Sequence, residues 1–212
     1  MCGIVGIVGT ETVAERLLDG LRRLEYRGYD SAGIATIHEG AFHRRRAEGK
    51  LRNLAAELAK APLDGTIGIA HTRWATHGAP TVDNAHPHIV GDVVIVHNGI
   101  IENFKPLREE LEAEGRSFAS QTDTEVVAHL IAREVERGAD PREAVRRVLP
   151  RLHGAFALAV MFRSEPDLLI GARLSAPLTV GFGEGENYLG SDALALATLT
   201  QRIAYLEEGD WV

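Results

Sequence analysis

Cysteine is almost missing from this sequence. A lone Cys2 in 212 residues permits no internal disulfide, so the fold must hold on packing and hydrogen bonds, as in a reducing cytoplasm. The charged start, apolar stretch and cleavage site of a signal peptide are missing, and no apolar run reaches the roughly 20 residues that span a bilayer. An excess of positive charge is missing too. Lys and Arg number 23 against 30 Asp and Glu, a formal charge of −7, which offers nucleic acid no broad cationic surface. No internal repeat or low-complexity linker divides the chain.

What is present suits a single domain over residues 1–212, expected in the cytoplasm, with neither a nucleic-acid nor a membrane partner. Hydrophobic residues make up 45% and charged residues 25%, enough for one sizeable core. The chain stops without a tail, which suggests a domain of a longer protein. Its one basic run, Arg44-Arg45-Arg46, reads as a solvated strand or loop.

Apolar periodicity gives a strand over 2–9, then a helix carrying Val13, Leu17, Leu18, Leu21 and Leu24. A strand over 32–37 turns back at Glu39-Gly40 through Phe42, and a helix follows over 50–60. Buried strands over 66–71 and 93–97 each run into a polar loop. Helices are expected near 102–114, 124–136 and 142–149, and strands near 155–162, 168–172, 178–182, 188–191 and 203–206. Helices early and directly linked strands late break strict βαβ alternation, so an α+β sandwich of sheets flanked by helices fits better.

Met1-Cys2-Gly3 is the sharpest chemical feature. Removing the initiator methionine would give Cys2 both a thiol and a free α-amine, whose reference pKa of about 7.7–8.0 lets it take the thiol proton and later return it. One residue then supplies nucleophile and base. The competing reading is a small apolar residue in the first strand. Gly3 adds slightly to the first reading, since a residue without Cβ lets substrate approach closely, but on these residues alone both readings stay open.

Three further segments end buried strands or open helices. In His71-Thr72-Arg73-Trp74-Ala75-Thr76-His77-Gly78, Arg73 has the fork to hold a carboxylate bidentately, or else a structural ion pair. In His97-Asn98-Gly99, a side-chain amide and a backbone N–H together suit an oxyanion, although Asn-Gly also marks hairpin turns. In Thr122-Asp123-Thr124-Glu125, Asp123 is either a helix cap or the receptor for an α-ammonium group. His71, His77, His86, His88 and His97 cluster in sequence, yet without a second cysteine or an HExxH helix they read as capping, packing and substrate contacts rather than zinc ligands. No metal and no cofactor is expected.

Together MCGIVG at 1–6, LRRLEYRGYDSAG at 21–33, GIAHTRWATHG at 68–78, NAHPH at 84–88, VHNGIIEN at 96–103, TDTEV at 122–126 and LEEGD at 206–210 resemble the class II, N-terminal nucleophile glutamine amidotransferases. The glutaminase domain of glutamine–fructose-6-phosphate aminotransferases is the nearest pattern, with amidophosphoribosyltransferases and a non-catalytic glutamine-binding module as alternatives. The resemblance implies a four-layer α/β/β/α sandwich, two antiparallel sheets between helical layers. It implies that Cys2 attacks the amide of L-glutamine and forms a thioester, with Asn98 and Gly99 holding the oxyanion and Arg27 helping to position the site. Arg73 would bind the α-carboxylate, Asp123 the α-ammonium, and Thr76 with His77 the rest of the substrate, while Trp74 gates the ammonia exit. C-terminal sugar-isomerase domains of the same parent chain would receive the ammonia, in a full-length enzyme expected to be a homo-oligomer.

Overall fold

The computed structural model describes residues 2–212, and its core falls into three slabs set by strand alternation. Seven strands form one antiparallel sheet: β1 (Gly3–Val8), β2 (Ser31–His38), β3 (Ala41–Glu48), β4 (Ile67–Arg73), β9 (Thr179–Phe182), β10 (Asn187–Gly190) and β11 (Ile203–Tyr205). Their spatial order is β11-β9-β10-β1-β4-β2-β3. A second antiparallel sheet runs β5 (His88–Val90), β6 (Val93–Ile101), β7 (Gly154–Phe162) and β8 (Glu165–Leu174), in that order.

Strands buried on both faces explain the nearly continuous apolar runs. Along β6, Val94 and Val96 join Ile4, Ile69 and Ala157 between the sheets, while Val93 and Ile95 pack with the helical side. Helices α3 (Phe104–Ala113), α4 (Asp123–Glu136) and α5 (Pro141–Val148) cover that face through Leu107, Leu111, Val127, Ile131 and Val145. On the other sheet, α1 (Ala14–Arg22) and α2 (Leu51–Lys60) bury Leu17, Leu21, Leu54 and Leu58 against Val5, Ile7 and Ile34, with the short α6 (Ala193–Leu196) beside them. The layers are therefore helix, sheet, sheet, helix. Asp140 caps α5, accepting from Glu143 N at 3.0 Å ahead of Pro141, and Thr122 caps α4, accepting from Glu125 N at 3.3 Å. No helix among the described residues is long and apolar enough to cross a membrane.

Several expectations need correction. Strand β6 does not stop at His97 but continues in register with β7 to Ile101, and Asn98-Gly99 lies inside it rather than in a loop or hairpin. Gly99 makes this possible: its φ is +122°, and a Cβ there would sit 2.0 Å from the Ala155 carbonyl oxygen. Strand β4 likewise continues to Arg73, and β5 was not foreseen. The Arg44-Arg45-Arg46 run is not a solvated segment. It lies in β3, where Arg44 donates to Pro87 O (2.9 Å), Arg45 to Ala61 O (2.8 Å) and Arg46 to Ala85 O (2.9 Å), so the guanidiniums tie neighbouring loops to the sheet. Burial lowers Arg44 to about 10.

Candidate active site

Cys2 lies just ahead of β1, and pairing of Gly3 with Thr72 brings it beside the end of β4. Trp74 N donates to Cys2 Sγ at 3.2 Å, and the thiol donates to Trp74 O at 3.5 Å. Burial pushes the thiol pKa above its ordinary value, partly offset by the Trp74 N–H and the Arg73 charge. At neutral pH the group is thus a thiol rather than a thiolate. Gly3 acts behind this sulfur rather than in front of it: a Cβ there would meet Thr72 Oγ1 at 2.7 Å and Leu24 Cβ at 2.8 Å, so close packing of β1, not substrate approach, requires glycine.

Cys2, Arg73, Thr76, His77, Gly99 and Asp123 line one recess. Arg73 is 3% exposed and makes no ion pair with a carboxylate among the described residues. It donates instead to the carbonyl oxygens of Ala79 (3.1 Å), Gly78 (3.3 Å) and His77. Burial lowers its pKa, and the charges of Asp123 and Asp30 oppose that shift. Asp123 is 4% exposed and accepts from Ile101 N at 2.8 Å through Oδ2. It is the first residue of α4, whose cap is Thr122, so the capping role proposed for Asp123 falls to its neighbour. His97 Nδ1 lies 3.9 Å from Asp123 Oδ2, and burial lowers the pKa of that ring. Arg73 and Asp123, neither of them ion-paired to a Lys, Arg, Asp or Glu side chain among the described residues, face the same small space beside a thiol.

Asn98 and Gly99 stand at the opposite wall on β6. Asn98 Nδ2 donates to the Cys2 carbonyl oxygen at 3.1 Å, while its Oδ1 lies 3.0 Å from His71 Nε2. Thr76 and Trp74 are exposed at the rim, and Trp74 stands edge-on to Tyr29 at 5.7 Å. His77 packs edge-on against Phe104 at 5.0 Å. No group of three or more His, Cys, Asp or Glu side chains among the described residues is placed to hold a metal ion. The histidines engage hydroxyls: His86 Nε2 and His97 Nδ1 both meet Thr124 Oγ1, at 2.8 and 2.9 Å, and His88 Nε2 meets Thr122 Oγ1 at 3.1 Å.

Residues 71–198 match the glutamine amidotransferase domain family. The chain belongs to that family. It is a glutamine amidotransferase domain and therefore an enzyme. Among curated relatives, the glutamine–fructose-6-phosphate aminotransferase (isomerizing) of Zymomonas mobilis is 71% identical over 212 residues, covering 100% of this chain and 35% of the relative. That of Brucella abortus is 64% identical over 211 residues, with the same 100% and 35% coverage. The chain thus spans about a third of the length of these relatives. Among solved structures, the glutamine phosphoribosylpyrophosphate amidotransferase of B. subtilis, complexed with ADP and GMP, superposes with a TM-score of 0.86 at 25% identity, covering 99% of this chain and 46% of that one. The four-layer sandwich is the fold of these class II amidotransferases.

The amidotransferase has a second recess on the far side of Cys2, walled by Arg27, Trp74, Ile100, Ala176 and Pro177. Sequence reasoning missed its apolar wall, because nothing in the spacing of Ser175-Ala176-Pro177 sets it apart from an ordinary turn. Arg27 does reach this recess, but its guanidinium is held by Asp192 and by the Tyr26 hydroxyl (3.0 Å). Asp192 was missed as well, since 165 residues separate it from Arg27. Asp30, seen only as part of the Tyr26–Asp30 segment, accepts from Ala75 N at 2.8 Å and donates its own N–H to Arg73 O at 3.0 Å, which fixes the start of the Trp74–Gly78 loop.

Proposed function

We propose that this domain hydrolyses the side-chain amide of L-glutamine to glutamate and ammonia, with Cys2 as nucleophile. The opposite, unmatched charges of Arg73 and Asp123 beside the thiol carry the reading, because together they complement the zwitterionic end of an amino acid. Loss of Met1 frees the Cys2 α-amine, which takes the thiol proton as sulfur attacks the amide carbon. The carbonyl oxygen becomes an oxyanion between Asn98 Nδ2 and the Gly99 N–H. Asn98 carries two N–H donors, so one can stay on Cys2 O while the other faces the cleft. Collapse breaks the C–N bond, the ammonium returns its proton to the leaving nitrogen, and ammonia departs from a thioester. Water then hydrolyses the thioester to glutamate and restores the thiol.

Thr76 and His77 complete the wall around the glutamine side chain, and Trp74 stands between the two recesses as a gate toward the apolar side. Arg27, clamped by Asp192, holds the far wall of that exit. The relatives at 71% and 64% identity favour a glutamine–fructose-6-phosphate aminotransferase over an amidophosphoribosyltransferase as the parent. In that parent, the ammonia would pass to C-terminal sugar-isomerase domains of the same chain and convert fructose 6-phosphate to glucosamine 6-phosphate. A single domain over 1–212 in a cytoplasmic homo-oligomer completes the proposal. The test is glutamate release from glutamine by the 212-residue chain: Cys2→Ala is expected to lower it by several orders of magnitude while circular dichroism stays unchanged. Unaltered release would refute the assignment.

A further inference from the structure

We propose that His71 is a positioning residue, holding the Asn98 amide so that its NH2 group faces the reacting carbonyl; the inference rests on the Cys2 reading above. His71 is fully buried on β4 and reaches across the gap between the sheets to β6. Its Nε2 lies 2.9 Å from the His97 carbonyl oxygen and 3.0 Å from an atom of the Asn98 amide. A backbone carbonyl only accepts, so Nε2 carries a proton. The Asn98 atom sharing that proton must then also be an acceptor, which makes it the amide oxygen. At the other end the Asn98 nitrogen meets the Cys2 carbonyl oxygen at 3.1 Å, again a group that only accepts.

Two backbone carbonyls, one on each side of the His71–Asn98 pair, therefore leave the amide one orientation. Turning it over would set N–H against N–H at His71 and oxygen against oxygen at Cys2, and would aim an oxygen at the developing oxyanion. The ring is suited to this task because it stays neutral. Burial lowers His71 to about 3, and its Nδ1 has no partner among the described residues, so the single proton that the His97 carbonyl requires stays on Nε2. Oxyanion donors act through being aimed beforehand, and loss of one costs about 10²–10³ in rate. Loss of its aim costs less, because a fraction of molecules still presents the NH2 group.

Glutaminase kinetics of the 212-residue chain test this. His71→Leu, which removes the N–H, is expected to lower kcat about 10- to 100-fold, with KM within about threefold and the rate of Cys2 alkylation by iodoacetamide unchanged. His71→Gln, which offers an N–H near the same point, is expected to recover most of the loss. In an Asn98→Ala background, His71→Leu should have no further effect on kcat. An equal fall in that background, a rise in KM at constant kcat, or a wild-type kcat in His71→Leu would overturn the role. Should the leucine variant fail to fold, ¹⁵N-histidine NMR of the unaltered chain at pH 7.5 decides: an Nε2–H ring supports the proposal and an Nδ1–H ring refutes it. That spectrum is independent of turnover, so an inactive chain would count against Cys2 and leave the His71 geometry to be judged on its own.

Discussion

On the proposed reading, catalysis falls to Cys2 and recognition to Arg73 and Asp123, two buried groups of opposite charge that line one recess with the thiol. Arg73→Lys keeps the charge but loses the fork, and it is expected to raise KM for glutamine about 10- to 100-fold with kcat within a few-fold, the effect of one or two charge-assisted hydrogen bonds. Asp123→Asn removes the partner of the α-ammonium and should raise KM to a similar degree, read from initial glutamate release. It should also leave α-hydroxy analogues of glutamine less discriminated against than in the unaltered chain. That Cys2, Arg73, Gly99 and Asp123 meet in one recess agrees with segments singled out from sequence, because each lies at the end of a strand or the start of a helix. Their partners were not legible there. No residue type near Arg73 in sequence announces that the backbone carbonyls of His77, Gly78 and Ala79 hold its guanidinium, and the Arg27 to Asp192 pair closes over 165 residues. Gly3 shows the same limit, since its need for a missing Cβ arises from Thr72 and Leu24 rather than from substrate.

Among the elements, β6 matters most to the site because one strand contributes to the inter-sheet core and to the cleft. Gly99→Ala would force a left-handed φ on a residue with a Cβ and drive that carbon to within 2.0 Å of Ala155 O. Backbone strain of this kind costs about 1–3 kcal/mol before the clash is counted. The variant is expected to melt at least several degrees lower by calorimetry and to lose glutaminase activity beyond what its folded fraction explains. An unchanged melting temperature would show that β7 moves aside without cost. The longer helices and the central strands were readable from periodicity, as α1 and α4 show. Strand ends were not: β4 and β6 outlast their apolar runs because cross-strand pairing with β1, β2 and β7 continues through polar residues. Arg44 to Arg46 misled for the opposite reason, since loops unseen in sequence cover the strand that bears them.

Across the whole molecule, the buried histidines link the fold to pH. Desolvation lowers His71 and His88 to about 3 and His86 well below its ordinary value, so all three are neutral in the folded chain. The unfolded chain binds these protons near pH 6.5, so their neutral burial is fully tolerated above that pH and stability falls as pH drops from 6.5 toward 3. Glu125, lowered to about 2, adds to the loss below its ordinary range near 4.5. Melting temperature is therefore expected to decline steadily from pH 6.5 to 4.5, and His88→Gln to reduce the slope by up to about 1.4 kcal/mol per pH unit. A flat profile over that range would mean that the rings already carry protons or are reached by water. The class of fold was legible from the run of early helices and late strands, whereas the pairing order β11-β9-β10-β1-β4-β2-β3 was not, because it depends on contacts between the two ends of the chain. The most direct measurement is intact-mass analysis of the purified chain before and after a glutamine-like diazo ketone, alongside glutamate release. A chain without Met1 that gains one adduct, mapped to Cys2, and loses activity in step is the expected result; a chain that keeps Met1 and still releases glutamate at full rate would contradict it.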